Sequence, residues 1–333
     1  MKTVVLGCGA IGGIVLGSLT EKGCSVTGIV KPYQKEALDA EGLKIEGVGG
    51  IRKIMVHTQC RVEEPVELAV FASKINDLEQ LILENKEYLQ KAVVVSTQNG
   101  VYADYILRKY FPAENILTGI VMFGATFYPP NKVVHNFPGD LVIGNMFGVP
   151  VARYAQAKAE LAKALMLSES ADIRGAKYLK VFVNLNNCIP AILGISMQEA
   201  FADIALARLV INLNREAFAV VQKSGISLES LPNYPKERLL GLVTMESEAA
   251  AGMFSKVMQG LSKEPLYGSI LQSIKRGKKS EIDYINGEIV RLAQENKIEA
   301  PLNKKIVELV HHVEDTGSFL SKEDLIKNIQ EKI

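Results

Sequence analysis

Thr3-Val4-Val5-Leu6-Gly7-Cys8-Gly9-Ala10-Ile11-Gly12 sets a glycine-punctuated turn directly behind a short apolar run at the front of the chain. That run has the composition of a buried strand, and Ile14, Leu16 and Leu19 beyond it form a helix-like pattern. A second apolar run, Ser25 to Val30, completes a strand–helix–strand unit. Where a buried strand turns on glycines into a helix, free backbone N–H groups and the positive helix end can hold a pyrophosphate, and each glycine removes a Cβ that would block its approach. Gly7, Cys8, Gly9, Ala10, Ile11 and Gly12 are therefore read as the phosphate loop for a dinucleotide cofactor. Context carries this reading more than the glycines do, because 27 glycines in 333 residues can produce such a spacing by chance.

Lys2 followed by Val5-Leu6-Gly7-Cys8 superficially matches a lipid-attachment signal. Only about four apolar residues precede Cys8, against the roughly 7 to 15 of a signal's apolar core, and the glycines from Gly7 to Gly17 make a poor membrane helix. No later stretch reaches the roughly 18 uninterrupted apolar residues of a spanning segment. A soluble, cytoplasmic protein without a membrane partner is expected. With 48% hydrophobic and 23% charged residues, the chain is ordinary globular material, long enough for two domains. A net charge of +1 spread along the sequence offers no footprint for nucleic acid. Cys8, Cys24, Cys60 and Cys188 are dispersed, with neither a CxxC pair nor a zinc-like Cys/His spacing, so reduced thiols and no metal are expected. His311 and His312 are adjacent on a helix-like segment, where neighbours point about 100° apart and do not share a metal.

From residue 2 to about 145, short apolar runs alternate with amphipathic stretches. Thr3 to Leu6, Ser25 to Val30, Leu68 to Ala72 and Ala92 to Thr97 are the candidate strands, an alternation that predicts an α/β domain with a Rossmann-type parallel sheet. Thr118 to Phe123 and Leu141 to Ile143, separated by Pro129-Pro130-Asn131 and Pro138-Gly139, read as hairpin-like strands that extend or close this sheet. Beyond Val151 strand signals nearly vanish. Leu206, Leu209, Val210, Leu213, Ala217, Val220 and Val221 recur at helical steps, with Ser224-Gly225 as the stop. Ile282, Ile285 and Ile289, then Leu325, Ile326 and Ile329, repeat the pattern. An all-helical C-terminal domain over residues 171–333 is predicted behind an α/β domain over residues 1–170, joined in the polar stretch from Ser168 to Gly175.

A nicotinamide site selective for NAD places an acid at the end of the second strand, on the ribose hydroxyls. Lys31 stands there instead, and no acid follows until Glu36. A cation suits the 2′-phosphate of NADP, which a carboxylate would repel. The alternative is a solvated lysine at a strand end.

Lys180, Asn184 and Asn187 lie at i, i+4 and i+7 among apolar residues, one stripe if the segment is helical. Such a stripe can be the wet face of an amphipathic helix. Wet faces usually carry Glu, Lys or Gln, however, since Asn costs helix propensity, so a ligand-facing stripe is the competing reading. In Lys279-Ser280-Glu281-Ile282-Asp283-Tyr284-Ile285-Asn286-Gly287, Ser280 can cap a helix and Asp283 can complete a capping box. That accounts for Asp283 better than for Glu281.

Taken together, these segments resemble the 2-dehydropantoate 2-reductase (ketopantoate reductase) family along nearly the whole chain. The resemblance rests on the glycine loop, Lys31, Lys74 in Val70-Phe71-Ala72-Ser73-Lys74, Gln98-Asn99-Gly100, Gly119 to Thr126, Lys180 with Asn184, Ser269 before Ile270-Leu271-Gln272, and Ser280 to Gly287, the most specific of them. It implies an NADPH-dependent reduction of a 2-keto acid to a 2-hydroxy acid. Lys180 is similar to the family's general acid, and a lysine among apolar residues is expected to have a depressed pKa that suits this role. Glu281 is similar to the acid that holds the lysine or a substrate hydroxyl. Lys74 and Asn99 match cofactor positions, and Asn184 and Ser269 match substrate positions. The resemblance also implies that the helical domain binds substrate and joins two copies as a homodimer.

The chain departs from the pattern where many members carry Asn-Pro at the eighth and ninth positions after the lysine. Cys188 and Ile189 stand there, with Asn187 one residue earlier as a substitute. Pro190 is expected to kink or end the helix. Ser273 replaces a usual Asp. These changes touch substrate contacts more than hydride chemistry. The function implied is reduction of 2-dehydropantoate to pantoate, in pantothenate and coenzyme A biosynthesis. The alternatives are reduction of another bulky 2-keto acid or an imine, and an NADPH sensor without turnover.

Overall fold

Apolar side chains on both faces of the first strand require cover on both sides, and this strand lies inside a sheet flanked by its neighbours. In the computed structural model, which describes residues 1–262 and 264–330, two units are formed by Met1–Ile173 and Arg174–Ile333. The first runs β1 (Thr3–Leu6), α1 (Ala10–Glu21), β2 (Val26–Ile29), α2 (Pro32–Glu41), β3 (Leu43–Gly47), β4 (Arg52–Ile54), β5 (His57–Gln59), β6 (Leu68–Phe71), α3 (Ile75–Leu89), β7 (Val93–Ser96), α4 (Tyr102–Arg108), β8 (Ile116–Val121), β9 (Gly124–Tyr128), β10 (Lys132–Phe137), β11 (Leu141–Gly144), α5 (Tyr154–Ala162) and β12 (Leu167–Glu169).

The eight-stranded sheet has the order β12-β11-β8-β7-β6-β1-β2-β5. Pairing is parallel from β8 to β5, while β11 runs antiparallel to β8. The chain builds outward from β1 to β2 and then returns across β1 to β6, so the strand order reverses between β1 and β6. In such sheets ligands bind at that reversal, beyond the carboxyl ends of the strands. Leu6 pairs with Ile29 and Phe71, and Phe71 with Ser96, which brings the four strand ends level.

Residues 116–144 do not behave as a single extension of this sheet. β8 and β11 join it, but β9 and β10 leave it for a four-stranded sheet of order β4-β3-β10-β9. Packing against α1 decides the matter. A Cβ on Gly13 would lie 2.7 Å from Val133 Cγ2, and one on Gly17 would lie 2.6 Å from Ile45 Cδ1. The two glycines let α1 press directly on the second sheet. Past Val151 there is also one more strand, β12, parallel to β11 at the edge.

The second unit is helical among the described residues, apart from an isolated bridge between Leu231 and Tyr234. It contains α6 (Ile173–Leu185), α7 (Cys188–Leu193), α8 (Met197–Ala202), α9 (Ile204–Lys223), α10 (Lys236–Thr244), α11 (Ser247–Gln259), α12 (Ser269–Ile274), a 3-10 turn at Ile282–Tyr284, α13 (Asn286–Glu295), α14 (Pro301–Thr316) and α15 (Lys322–Gln330). The seven apolar residues read from the α9 pattern are all buried. Asp203 caps this helix, accepting from the N–H groups of Ala205 and Leu206, and Gly225 at φ +70° follows its end. Among the described residues, no helix is long and apolar enough to cross a membrane.

Candidate active site

The glycine loop leaves the end of β1 and enters α1 at Gly9, which caps that helix without any side-chain hydrogen bond. Its three glycines serve different ends. Gly7 has φ +91°, and a Cβ there would lie 2.6 Å from the Ser73 backbone nitrogen. On Gly12 a Cβ would lie 2.2 Å from the Gly7 carbonyl oxygen. Gly9 has nothing within 4 Å of the place a Cβ would take. Packing therefore explains the first and third glycines but not the second. The open space beside Gly9, at the start of a helix with no acidic residue in its first turn, fits the pyrophosphate of a dinucleotide.

The neighbouring strand ends supply the rest of this rim. Lys31 is exposed and begins α2 at the end of β2, with no acid beside it before Glu36. Gln34 is buried on the same helix and donates from Nε2 to the Cys8 carbonyl at 3.3 Å, tying α2 to the glycine loop. Beyond β6, Lys74 begins α3 and is half-buried. Beyond β7, Thr97 donates to the Phe71 carbonyl at 2.8 Å, and Gln98 donates to the carbonyls of Phe71 and Ser73, each at 3.0 Å. These bonds bind the loop bearing Asn99 to the turn bearing Lys74. Gly100, at φ +76°, turns the chain into α4.

In the helical unit, Lys180 lies on α6 and Asn184 one turn further, but α6 stops at Leu185. Asn187 instead caps α7, still with right-handed backbone angles, so the stripe crosses a break between two helices. Pro190 is the reason: its ring excludes the carbonyl four residues back, while in the first turn of α7 its missing N–H costs nothing. Burial lowers the Lys180 ammonium from the ordinary lysine range to about 8. Asn187 packs on Gly268, where an added Cβ would meet its Oδ1 at 2.9 Å, so it lies beside exposed Ser269 at the start of α12. Tyr178 on α6 donates to Glu288 on α13 at 3.4 Å, and Asn286 approaches the buried Cys188 thiol at 3.8 Å. The segments holding Lys180, Asn187 and Glu281 are thereby joined through α13.

Glu281 is buried, yet no α-helix starts behind Ser280. The expected capping box does not form. Ser280 Oγ accepts from the Ile282 N–H at 3.3 Å within a 3-10 turn, and Asp283 turns to His311 at 2.9 Å. Burial of Ile282 and Ile285 together with that tertiary partner outweighs the local capping preference.

The sequence reading did not single out Gln34, and it weighed His311 only as a metal ligand beside His312. A buried glutamine on a short helix has no local signature, and His311 lacked the spacing of a metal site. His311 and His312 do diverge, the former half-buried and the latter exposed. Among the described residues, no cluster of three potential metal ligands occurs.

An α/β unit with a glycine loop at its strand-order reversal, followed by a helical unit carrying a lysine of lowered pKa, defines an oxidoreductase of the dinucleotide-binding class. The family models for "Ketopantoate reductase PanE/ApbA" and "Ketopantoate reductase PanE/ApbA C terminal" match residues 3–148 and 172–314. The chain belongs to the ketopantoate reductase family. It is 28% identical over 325 residues to the 2-dehydropantoate 2-reductase of Pyrococcus horikoshii, covering 95% of this chain and 99% of that one. With the Archaeoglobus fulgidus 2-dehydropantoate 2-reductase it shares 27% identity over 317 residues, or 94% and 98% of the two chains. Among solved structures, a PanE/ApbA family ketopantoate reductase from Ralstonia eutropha superposes with a TM-score of 0.79 at 26% identity, covering 95% and 99%. A D-mandelate dehydrogenase bound to NADH and anilino(oxo)acetate shares the fold, with a TM-score of 0.81 at 24% identity over 95% and 99% of the chains.

Proposed function

We propose that this protein reduces 2-dehydropantoate to pantoate with NADPH, serving pantothenate and coenzyme A synthesis in the cytoplasm. The observation that carries the reading is Lys180, whose ammonium releases its proton near pH 8 in a chain that matches the family over both units. Gly7, Cys8, Gly9, Ala10, Ile11 and Gly12 hold the pyrophosphate, Lys31 pairs with the 2′-phosphate, and Lys74 and Asn99 complete the cofactor contacts. When bound, the nicotinamide supplies a hydride to the keto carbon. Lys180 donates its ammonium proton to the keto oxygen, so that no free alkoxide has to form. Asn184, Asn187 and Ser269 orient the substrate, and Glu281 holds the lysine or a substrate hydroxyl. The family's usual assembly would make the protein a homodimer.

Cys188, Ile189 and Ser273, where relatives commonly carry other residues, favour a second reading in which another bulky 2-keto acid is the better substrate. Steady-state reduction of a panel of 2-keto acids and imines, followed by NADPH and NADH absorbance, separates the two. The proposal expects the highest kcat/KM with 2-dehydropantoate and NADPH. A different keto acid that outruns it selects the second reading. NADPH binding without turnover of any compound selects a sensor.

A further inference from the structure

Glu281 sits in a turn that one imidazole spans. Glu314 on α14 accepts the Ser280 N–H at 2.7 Å through Oε1, and its Oε2 faces His311 Nδ1 at 3.1 Å. The other ring nitrogen, Nε2, faces Asp283 Oδ1 at 2.9 Å. A neutral imidazole donates from one nitrogen only, leaving a lone pair against a carboxylate at the other. Two carboxylate oxygens on opposite sides of the ring are both satisfied by the imidazolium. We propose that His311, doubly protonated, is a positioning residue that clamps the Ser280–Asp283 turn and so holds Glu281 in place for the keto acid.

The charges around the ring fit this role. Asp283 faces it from the turn and Glu314 from its own helix, with His312 and Asp315 beside them on α14; Lys279, leading into the turn, pairs with both Glu314 and Asp315. Burial of the ring works against its charge, but the bonds to Asp283 and Glu314 outweigh it and raise His311 above the ordinary value of 6.5. Burial likewise works against the Glu314 carboxylate, and the Ser280 hydroxyl, the Ser280 N–H and His311 hold its pKa below the usual range. A raised histidine pKa means that the clamp is fully present below 6.5, as long as Asp283 and Glu314 stay ionised, and is lost as pH rises through the folded-state value.

The clamp rests on the reductase reading only for its effect on turnover. Three measurements test it: the NMR titration of the His311 ring, amide exchange of residues 280–284 across pH after correction for intrinsic rates, and steady-state kinetics of the wild type and His311→Gln. The wild-type ring should titrate above 6.5, with protection of the turn falling through the same pH. His311→Gln should lose that protection at every pH and raise the KM for 2-dehydropantoate about tenfold, the scale of one lost charged hydrogen bond, with NADPH affinity unchanged. Should that variant misfold, exposed Asp283→Asn should lower the His311 pKa and weaken the same protection. A ring titrating at or below 6.5, or unchanged protection in the variant that folds, overturns the clamp. Wild-type protein inactive on 2-dehydropantoate overturns the substrate reading alone, because the titration and exchange measurements need no turnover.

Discussion

A buried lysine that gives up its proton near pH 8 is a local cost, and in the proposed reaction it is also a functional group. As the proposed proton donor, Lys180 predicts a kcat that declines as pH rises through about 8. Lys180→Ala should lower turnover about 10²- to 10⁴-fold at saturating substrate, the range of general acid catalysis. Lys180→Arg should not restore it, because a guanidinium keeps its proton. Retention of more than about a tenth of wild-type turnover by the alanine variant removes Lys180 from that role. For folding the sign is opposite to that of an ion-paired lysine. The folded state disfavours the charged form, so stability rises between about 8 and the ordinary value of 10.5, and Lys180→Met should raise Tm at neutral pH. Lys31 makes a separate residue-scale prediction. Lys31→Asp should reverse the proposed NADPH preference, measured as the ratio of kcat/KM with the two cofactors, and equal efficiencies of the natural protein with both would overturn the NADPH assignment.

At the scale of the element, the glycine loop separates into packing positions and an open one. Gly12→Ala should cost about 1–3 kcal/mol of stability, since its Cβ would meet the Gly7 carbonyl oxygen at 2.2 Å. Gly9→Val should leave the fold intact by circular dichroism and abolish NADPH binding by fluorescence titration, because its side chain would enter the open space that the proposed function gives to the phosphates. Retained affinity would mean that the loop is only a tight turn. The strands of this element were legible from sequence to within a residue or so, as β1, β2, β6 and β7 show, because continuous apolar runs between turn residues are a local signal. The 3-10 turn at Ile282–Tyr284 was not legible. Its conformation answers to Glu314 and His311 on α14, some thirty residues later in the chain. The break between α6 and α7 lay between these cases, signalled by Pro190 but located only by the capping position of Asn187.

For the whole molecule, the division of work proposed for the two units can be measured. NADPH affinity should stay within about twofold of wild type in Lys180→Ala, whereas turnover collapses; a matching loss of affinity would show that the lysine acts on cofactor binding rather than on the proton. Amino-acid pattern alone determined that an α/β unit precedes a helical one, that β1 runs into a glycine loop, and which faces of the long helices are buried. These follow from spacing along the chain, where a period of two or 3.6 reports the local environment directly. Tertiary structure alone decided that β9 and β10 leave the main sheet and that β10 pairs with β3, that Gly13 and Gly17 press α1 onto that second sheet, that Gln34 anchors the loop at Cys8, and that His311 reaches Asp283. Each of those joins residues far apart in sequence whose meeting depends on the packing of whole elements, and no local pattern records which partner will be there.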